Sequence, residues 1–244
     1  MNERKPRPIY MGDFETTVYE GQTFTEVWAS ALTEIGTGEV LVFNSLEKTY
    51  DFILSQKTDL IIYYHNLKFD GTFWLSFLFR NGFKNGFILP DVMEWKKDAQ
   101  LNNKEVKYII SDKGQWYKII FKIGGHKIEL RDSLKLLPFS VKRIGESFGT
   151  KHKKLDIEYA GFRAAGGEIT EEEQQYIRND VLVVAEALEL MFSRGHKNLT
   201  IGSCCLSEYR KHLELDIFHE WKTLFPDMTK IELTKKWDIE LYDD

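Results

Sequence analysis

The stretch Met11-Gly12-Asp13-Phe14-Glu15-Thr16-Thr17 carries two carboxylates one residue apart, directly after the apolar pair Ile9 and Tyr10. Read as the end of a β-strand, it places Asp13 and Glu15 on one face and Phe14 on the other, because strand side chains alternate. Two such charges repel. At ~4 Å and an effective dielectric near 20 the cost is about 4 kcal/mol. A hard divalent cation, Mg²⁺ or Mn²⁺, held between them turns the repulsion into attraction. Alone, an Asp-x-Glu pair reads as the wet face of a solvated strand, so metal chemistry depends on further acids arriving from elsewhere in the chain.

Two further acids have suitable places. Asp70 lies in His65-Asn66-Leu67-Lys68-Phe69-Asp70-Gly71, just after the apolar run 59–64 and at the start of an expected helix. It reads there both as a candidate ligand and as an N-cap. Asp180 closes Tyr176-Ile177-Arg178-Asn179-Asp180, with Tyr176 and Asp180 at i and i+4 on one helix face. Beside them run the apolar residues Ile177, Val181, Val184, Leu188 and Met191, which puts Asp180 at the edge of a buried stripe. An acid there is costly without a partner. On its own the pair is equally an exposed aspartate with a neighbouring tyrosine.

The elements that must position these residues follow from periodicity and punctuation. Strands are expected at 8–14, 27–33 and 39–43, around the Gly36 and Gly38 turn. Asn44 and Ser45 offer N-caps for a helix containing Leu46, Tyr50, Ile53 and Leu54. A buried strand at 59–64 precedes a helix with Phe73, Trp74, Phe77 and Leu78, closed by Gly82. Residues 84–105 read as a polar, irregular excursion. Trp116–Ile123 and His126–Arg131 flank Gly124-Gly125 as a hairpin, with 106–110 as a third strand beside it. A short helix spans 140–148. Thr170 with Glu173 forms a capping box opening the longest helix, which runs to about Phe192 and stops at Gly195. Short helices are expected at 206–215 and 218–224. The order predicts an α/β fold of ribonuclease H type, a mixed sheet flanked by helices with an inserted β-hairpin. Residues 1–200 form its domain and 201–244 a short C-terminal helical extension.

Composition narrows the classes. The 244 residues are 43% hydrophobic and 14% aromatic, which suits a globular chain and excludes a disordered one. No apolar run approaches the length of a membrane span, and Arg4, Lys5 and Arg7 precede a strand rather than a leader, so no membrane partner is expected. The adjacent Cys204 and Cys205 lack disulfide and zinc spacing, which fits a reducing cytosol. The net charge of −5 opposes a nucleic-acid partner unless bound metal neutralises several acids. Basic residues do cluster locally, as in Lys151-His152-Lys153-Lys154.

Asp-x-Glu, Asn-x-x-Phe-Asp and Tyr-x-x-x-Asp in this order resemble the three motifs of the DEDDy superfamily of 3′–5′ exonucleases. Asp-Phe-Glu-Thr-Thr, His-Asn-Leu-Lys-Phe-Asp-Gly, Arg-Asn-Gly-Phe, Gly-Gln-Trp-Tyr, Asp-Ser-Leu-Lys-x-Leu-Pro-Phe, Asn-Asp-Val and Ala-Glu-Ala-Leu narrow it. Over about residues 8–226 they resemble the N-terminal exonuclease domain of the protein-primed family B DNA polymerases of small phages. The resemblance implies that Asp13, Glu15, Asp70 and Asp180 hold two divalent ions, Mg²⁺ or Mn²⁺. It implies that Tyr176 orients the attacking water and that Lys154 assists beside the scissile phosphate. Thr16, His65, Asn66, Phe69, Phe73, Ser133, Leu134 and Tyr159 match positions that hold a single-stranded DNA 3′ end.

The implied reaction is metal-dependent release of nucleoside 5′-monophosphates from 3′ ends, as in proofreading, within the host cytoplasm if the chain is phage-encoded. The chain ends at Asp244, before the palm, fingers and thumb of that family. DNA synthesis is therefore not expected, whether the chain is an excised domain, a stand-alone form or half of a split enzyme. Two other readings stay open. One is a non-catalytic module that binds single-stranded ends or docks a polymerase domain or terminal priming protein. The other is a ribonuclease of the same superfamily.

Overall fold

A computed structural model of the chain describes residues 7–89, 92–157 and 162–212. β1 (Ile9–Thr16) shows the alternation that its sequence demands. Tyr10 and Phe14 enter one apolar core, while Met11, Asp13 and Glu15 fall on the opposite face. β2 (Val27–Glu34) and β3 (Val40–Phe43) extend the sheet antiparallel from β1. α1 (Leu46–Ser55) starts at Ser45, whose side chain accepts from the Lys48 N–H.

β4 (Leu60–Tyr64) runs parallel to β1 and is buried along its whole length, as a central strand covered on both faces should be. α2 (Leu67–Arg80) follows after a two-residue connection and carries Asp70 in its first turn. Its cap is Asn66, with φ 73° and ψ 59°, so Asp70 is not the N-cap. The left-handed turn at Asn66 lets the chain reverse abruptly from strand to helix.

The excursion at 84–105 is more ordered than its composition suggests. β5 (Lys84–Asn85) joins the main sheet, and β6 (Phe87–Leu89) pairs with β7 (Val92–Trp95) as a separate small hairpin. A 3₁₀ turn at Asp98–Gln100 returns the chain. Strands of two to four residues are too short to display alternation in the sequence. What fixes the segment is tertiary. Trp95 packs on Phe87 and Tyr108, with ring centroids at 4.4 and 4.8 Å. Asp98 bridges Lys107 and Lys118, and Lys96 pairs with Glu105 at 2.6 Å.

β8 (Glu105–Ile110), β9 (Trp116–Ile123) and β10 (His126–Asp132) form the expected meander, turning at Gly124 and Gly125 with positive φ. The β9–β10 hairpin is integral to the main sheet: β10 inserts between β9 and β4 and runs parallel to β4. The eight strands are ordered β3-β2-β1-β4-β10-β9-β8-β5, a mixed sheet of the ribonuclease H type. α3 (Val141–Ser147) leads to α4 (Glu171–Ser193), which opens on the Thr170–Glu173 capping box and ends before Gly195 at φ 86°.

α1 and α2 pack on one face, around a core of Phe14, Leu32, Ile62, Trp74, Phe121 and Leu130. α4 covers β1, β2 and β3 on the other, and Phe192 meets the ring of Tyr63 there. The chain divides into two units, Met1–Ile201 and Gly202–Asp244. α5 (Ile201–His212) begins five residues before the helix expected at 206–215; the helix expected at 218–224 lies outside the described residues. Cys204 and Cys205 are free thiols. Among the described residues no helix is long and apolar enough to cross a membrane.

Close approach of α2 to the sheet depends on Gly71. A Cβ there would lie 2.9 Å from Ile119 Cδ1 and 3.0 Å from the Trp116 ring. Gly71→Ala should therefore push α2 off β9 and lower stability by roughly 1–3 kcal/mol despite alanine's better helix propensity. A urea titration should show the midpoint moving down with the slope unchanged.

Candidate metal and nucleic-acid site

β1 and α4 bring three of the four acids together. One carboxylate oxygen from each of Asp13, Glu15 and Asp180 lies within 4.8 Å of the others. Asp13 and Glu15 share a face because they are two residues apart on a strand, and a shift of register between Glu15 and Thr16 ends the regular pairing there. Asp70 comes from the first turn of α2, only 1% exposed. It lies outside the group of three, yet its charge is the strongest of the neighbouring charges acting on Asp13.

The electrostatics are those of crowded like charges. Burial raises the Asp13 carboxyl well above the usual carboxylate range, and the charges of Asp70, Glu15 and Asp180 push it further. Asp70 is raised by burial, then by Glu15 and Asp132, although its own N–H and that of Phe14 favour the charged form. Asp180 is raised by burial, against the opposing pull of Lys154 and Tyr176. One oxygen of Asp70 and one of Asp180 are buried without a hydrogen-bond donor. Buried acceptors without donors and a surplus of negative charge fit hard divalent cations with oxygen preference.

Lys154 and Tyr176 complete the cluster. Lys154 Nζ donates to Asp180 Oδ2 at 2.5 Å and to the Tyr176 hydroxyl at 3.0 Å. Burial would lower the Lys154 pKa, but Asp180 and Tyr176 outweigh it and hold the group protonated well above its ordinary range. Tyr176 is raised by burial and by the charges of Asp180 and Glu15, so it stays a phenol.

The residues expected to hold a strand come from several elements. Thr16 closes β1, and Asn66 sits exposed at the head of α2. Phe69 is 45% exposed and meets Phe73 edge-on, with centroids 5.3 Å apart. His65 Nε2 donates to the Phe139 carbonyl at 2.7 Å, and its Nδ1 lies 3.0 Å from the Ser133 hydroxyl. Burial lowers the His65 pKa, so the ring is neutral. Ser133 is fully buried, its hydroxyl shared between His65 and the Tyr64 carbonyl, so it orients the imidazole from beneath. Leu134 donates its N–H to Asp132. Tyr159 lies outside the described residues.

Sequence reading overlooked Asp132. Its Oδ1 accepts from the backbone N–H groups of Asn66, Leu67 and Leu134 at 3.0–3.2 Å. One buried carboxylate thus ties the end of β10 to the start of α2 and supplies the capping that the Asn66 side chain does not. The only signal in the sequence is its place between an apolar run and Ser-Leu-Lys; the partners are 65 and 66 residues away.

Residues 54–166 match the family described as DNA polymerase type B, organellar and viral. The DNA polymerase of Bacillus phage phi29 is 37% identical over 230 residues, spanning 92% of this chain and 37% of its own length. That of Streptococcus phage Cp-1 is 31% identical over 249 residues, spanning 91% and 36%. Among solved structures, Phi29 DNA polymerase complexed with single-stranded DNA superposes with a TM-score of 0.75 at 34% identity, over 89% of this chain and 36% of that one. The same polymerase with primer-template DNA and incoming nucleotide substrates gives 0.75 at 35% identity, over 90% and 36%. The chain therefore spans little more than a third of the length of these relatives.

The crowding of charge makes a prediction about stability. A carboxyl whose folded pKa lies above its unfolded value favours folding only at low pH, and that contribution is lost as pH rises through the folded pKa. Asp70→Asn removes the charge and offers a donor, so the metal-free variant should be more stable than wild type at pH 8 by about 1–3 kcal/mol. The gain should shrink towards pH 4, where the wild-type carboxyl is protonated. Thermal melts in excess chelator at both pH values check this, and added Mn²⁺ should stabilise wild type more than the variant.

Proposed function

We propose that this chain, a homologue of the N-terminal region of the phage type B DNA polymerases, is a metal-dependent 3′–5′ exonuclease that acts on single-stranded DNA ends. The observation that carries the reading is the convergence of Asp13, Glu15 and Asp180 within 4.8 Å, with Asp180 also held by Lys154 beside Tyr176. In this reading residues 1–200 form the nuclease module and 201–244 a helical extension. A polymerase domain is the docking partner that the relatives' name, DNA polymerase, suggests, and a terminal priming protein is a further candidate in the same reading.

Asp13, Glu15, Asp70 and Asp180 would hold the metal, two Mg²⁺ or Mn²⁺ ions. Bound there, such a pair supplies Lewis-acid activation of water and charge stabilisation on the leaving 3′-oxygen. The rest is done by the chain. Tyr176, kept neutral, places a water by hydrogen bonding rather than taking its proton. Lys154, kept cationic, offsets negative charge on a phosphate brought to Asp180. Phe69 and Phe73 give aromatic faces on which terminal bases stack regardless of sequence. His65, neutral and braced by Ser133 and Phe139, presents a fixed edge at the end of β4. An unpaired end suits such a site better than a matched one, since a duplex terminus must first be unstacked.

Excess EDTA should abolish cleavage, and a 5′-labelled single strand should shorten from its 3′ end faster than a blunt matched duplex. Asp180→Ala should abolish cleavage and weaken Mn²⁺ binding. Tyr176→Phe should slow single-turnover cleavage by roughly 10²–10⁴, the range for a lost positioning or proton-transfer group, with Mn²⁺ and oligonucleotide affinities near wild type. Strand binding without cleavage in every metal would instead identify a docking module, and preference for RNA a ribonuclease.

A further inference from the structure

Lys154 reaches Asp180 and Tyr176 from a stretch, residues 151–157, that has no helix or strand of its own. Such a backbone does not hold a long side chain in one place. The start of the stretch is tied to a group on α4. Glu186 Oε2 accepts the N–H of Lys151 at 2.6 Å and that of His152 at 3.3 Å, while Oε1 lies 2.5 Å from His152 Nδ1. Lesser ties act nearby: within the loop after α3, Thr150 Oγ1 donates to the His152 carbonyl at 2.7 Å, and Lys153 Nζ donates to the Gly145 carbonyl of α3 at 2.6 Å.

Glu186 and Asp180 stand six residues apart on one helix, about 9 Å of rise. From Lys151 to Lys154 the backbone spans at most ~11 Å. The segment is thus fastened at one end by Glu186 and touches Asp180 at the other, with the helix as a rigid ruler between them. We propose that Glu186 is a positioning residue for Lys154: by gripping residues 151 and 152, it sets the ammonium against Asp180 and Tyr176. The proposal rests on the exonuclease reading for its kinetic consequence, though not for its structural one.

The test uses the full chain and single-turnover cleavage of a 5′-labelled single-stranded oligodeoxynucleotide at saturating Mn²⁺. Glu186→Ala should slow cleavage roughly 10- to 100-fold, as misplacement of a group at the reacting centre does, without weakening oligonucleotide binding. Glu186→Gln should recover most of the rate, since its carbonyl oxygen still accepts both backbone N–H groups. In a Lys154→Ala background, Glu186→Ala should cost nothing further, because residues acting as one unit are not additive. Equal slowing in both backgrounds, or a wild-type rate in Glu186→Ala, overturns the proposal.

A readout independent of cleavage is the ¹⁵N resonance of the Lys154 ammonium. Its slow proton exchange should be lost in Glu186→Ala and kept in Glu186→Gln; an unaltered signal in Glu186→Ala also overturns the proposal. Should Glu186→Ala not fold, Glu186→Asp carries the same expectation, since it draws the carboxylate back by one carbon, about 1.5 Å. A wild-type chain that cleaves nothing while these signals behave as expected refutes the exonuclease reading alone.

Discussion

Mutual repulsion among carboxylates is the constraint around which this molecule is built. The charges of Asp70, Glu15 and Asp180 raise the proton affinity of Asp13, and that of Glu15 raises the proton affinity of Asp70; such groups would move apart if the backbone allowed. The backbone does not allow it. Asp13 and Glu15 are on a strand paired with β2 along both residues and with β4 up to Gly12, just before them. Asp70 is on a helix pressed against β9 at Gly71, and Asp180 is on a 23-residue helix seated on β1, β2 and β3. The large apolar core therefore has a second role besides stability. Its burial energy offsets the cost of confining like charges in one place, as active sites commonly require.

Lys154 is the counterweight that the described chain supplies. Its contact with Asp180 leaves the other Asp180 oxygen buried without a donor, so neutralisation is incomplete. In the proposed function, a cation at the acids and a phosphate at the lysine would be complementary, each adding the charge that the other lacks. The phenol of Tyr176 touches both Lys154 and Asp180, accepting from the first and donating to the second.

Much of this was legible in the sequence wherever a short-range rule governed it. The two-residue period of a strand puts Asp13 with Glu15, and the helical period puts Tyr176 with Asp180. The capping box at Thr170 and the Gly124-Gly125 turn are local chemistry, and the structure has both. Legibility failed where partners are distant or elements very short. β5, β6 and β7 take their order from Trp95 and Asp98 reaching across to β8 and β9. Asp132 and Glu186 look like ordinary surface acids in the sequence. Their importance lies in backbone N–H groups 65 and 35 residues away, which no periodicity announces.

The strand order has a consequence in time. β10 must enter between β4 and β9, so the centre of the sheet joins segments far apart in the chain, and such long-range pairing is slow to form. During synthesis, β1, β2 and β3 can pair as soon as they emerge, with Asp13 and Glu15 already in place. Asp70 follows with α2, and Lys154, Tyr176 and Asp180 come last, after more than half the chain has been made. Until then Asp13, Glu15 and Asp70 stand without Asp180 and without the ammonium of Lys154. A chain caught partway through folding therefore carries the repulsion and lacks its counterweight.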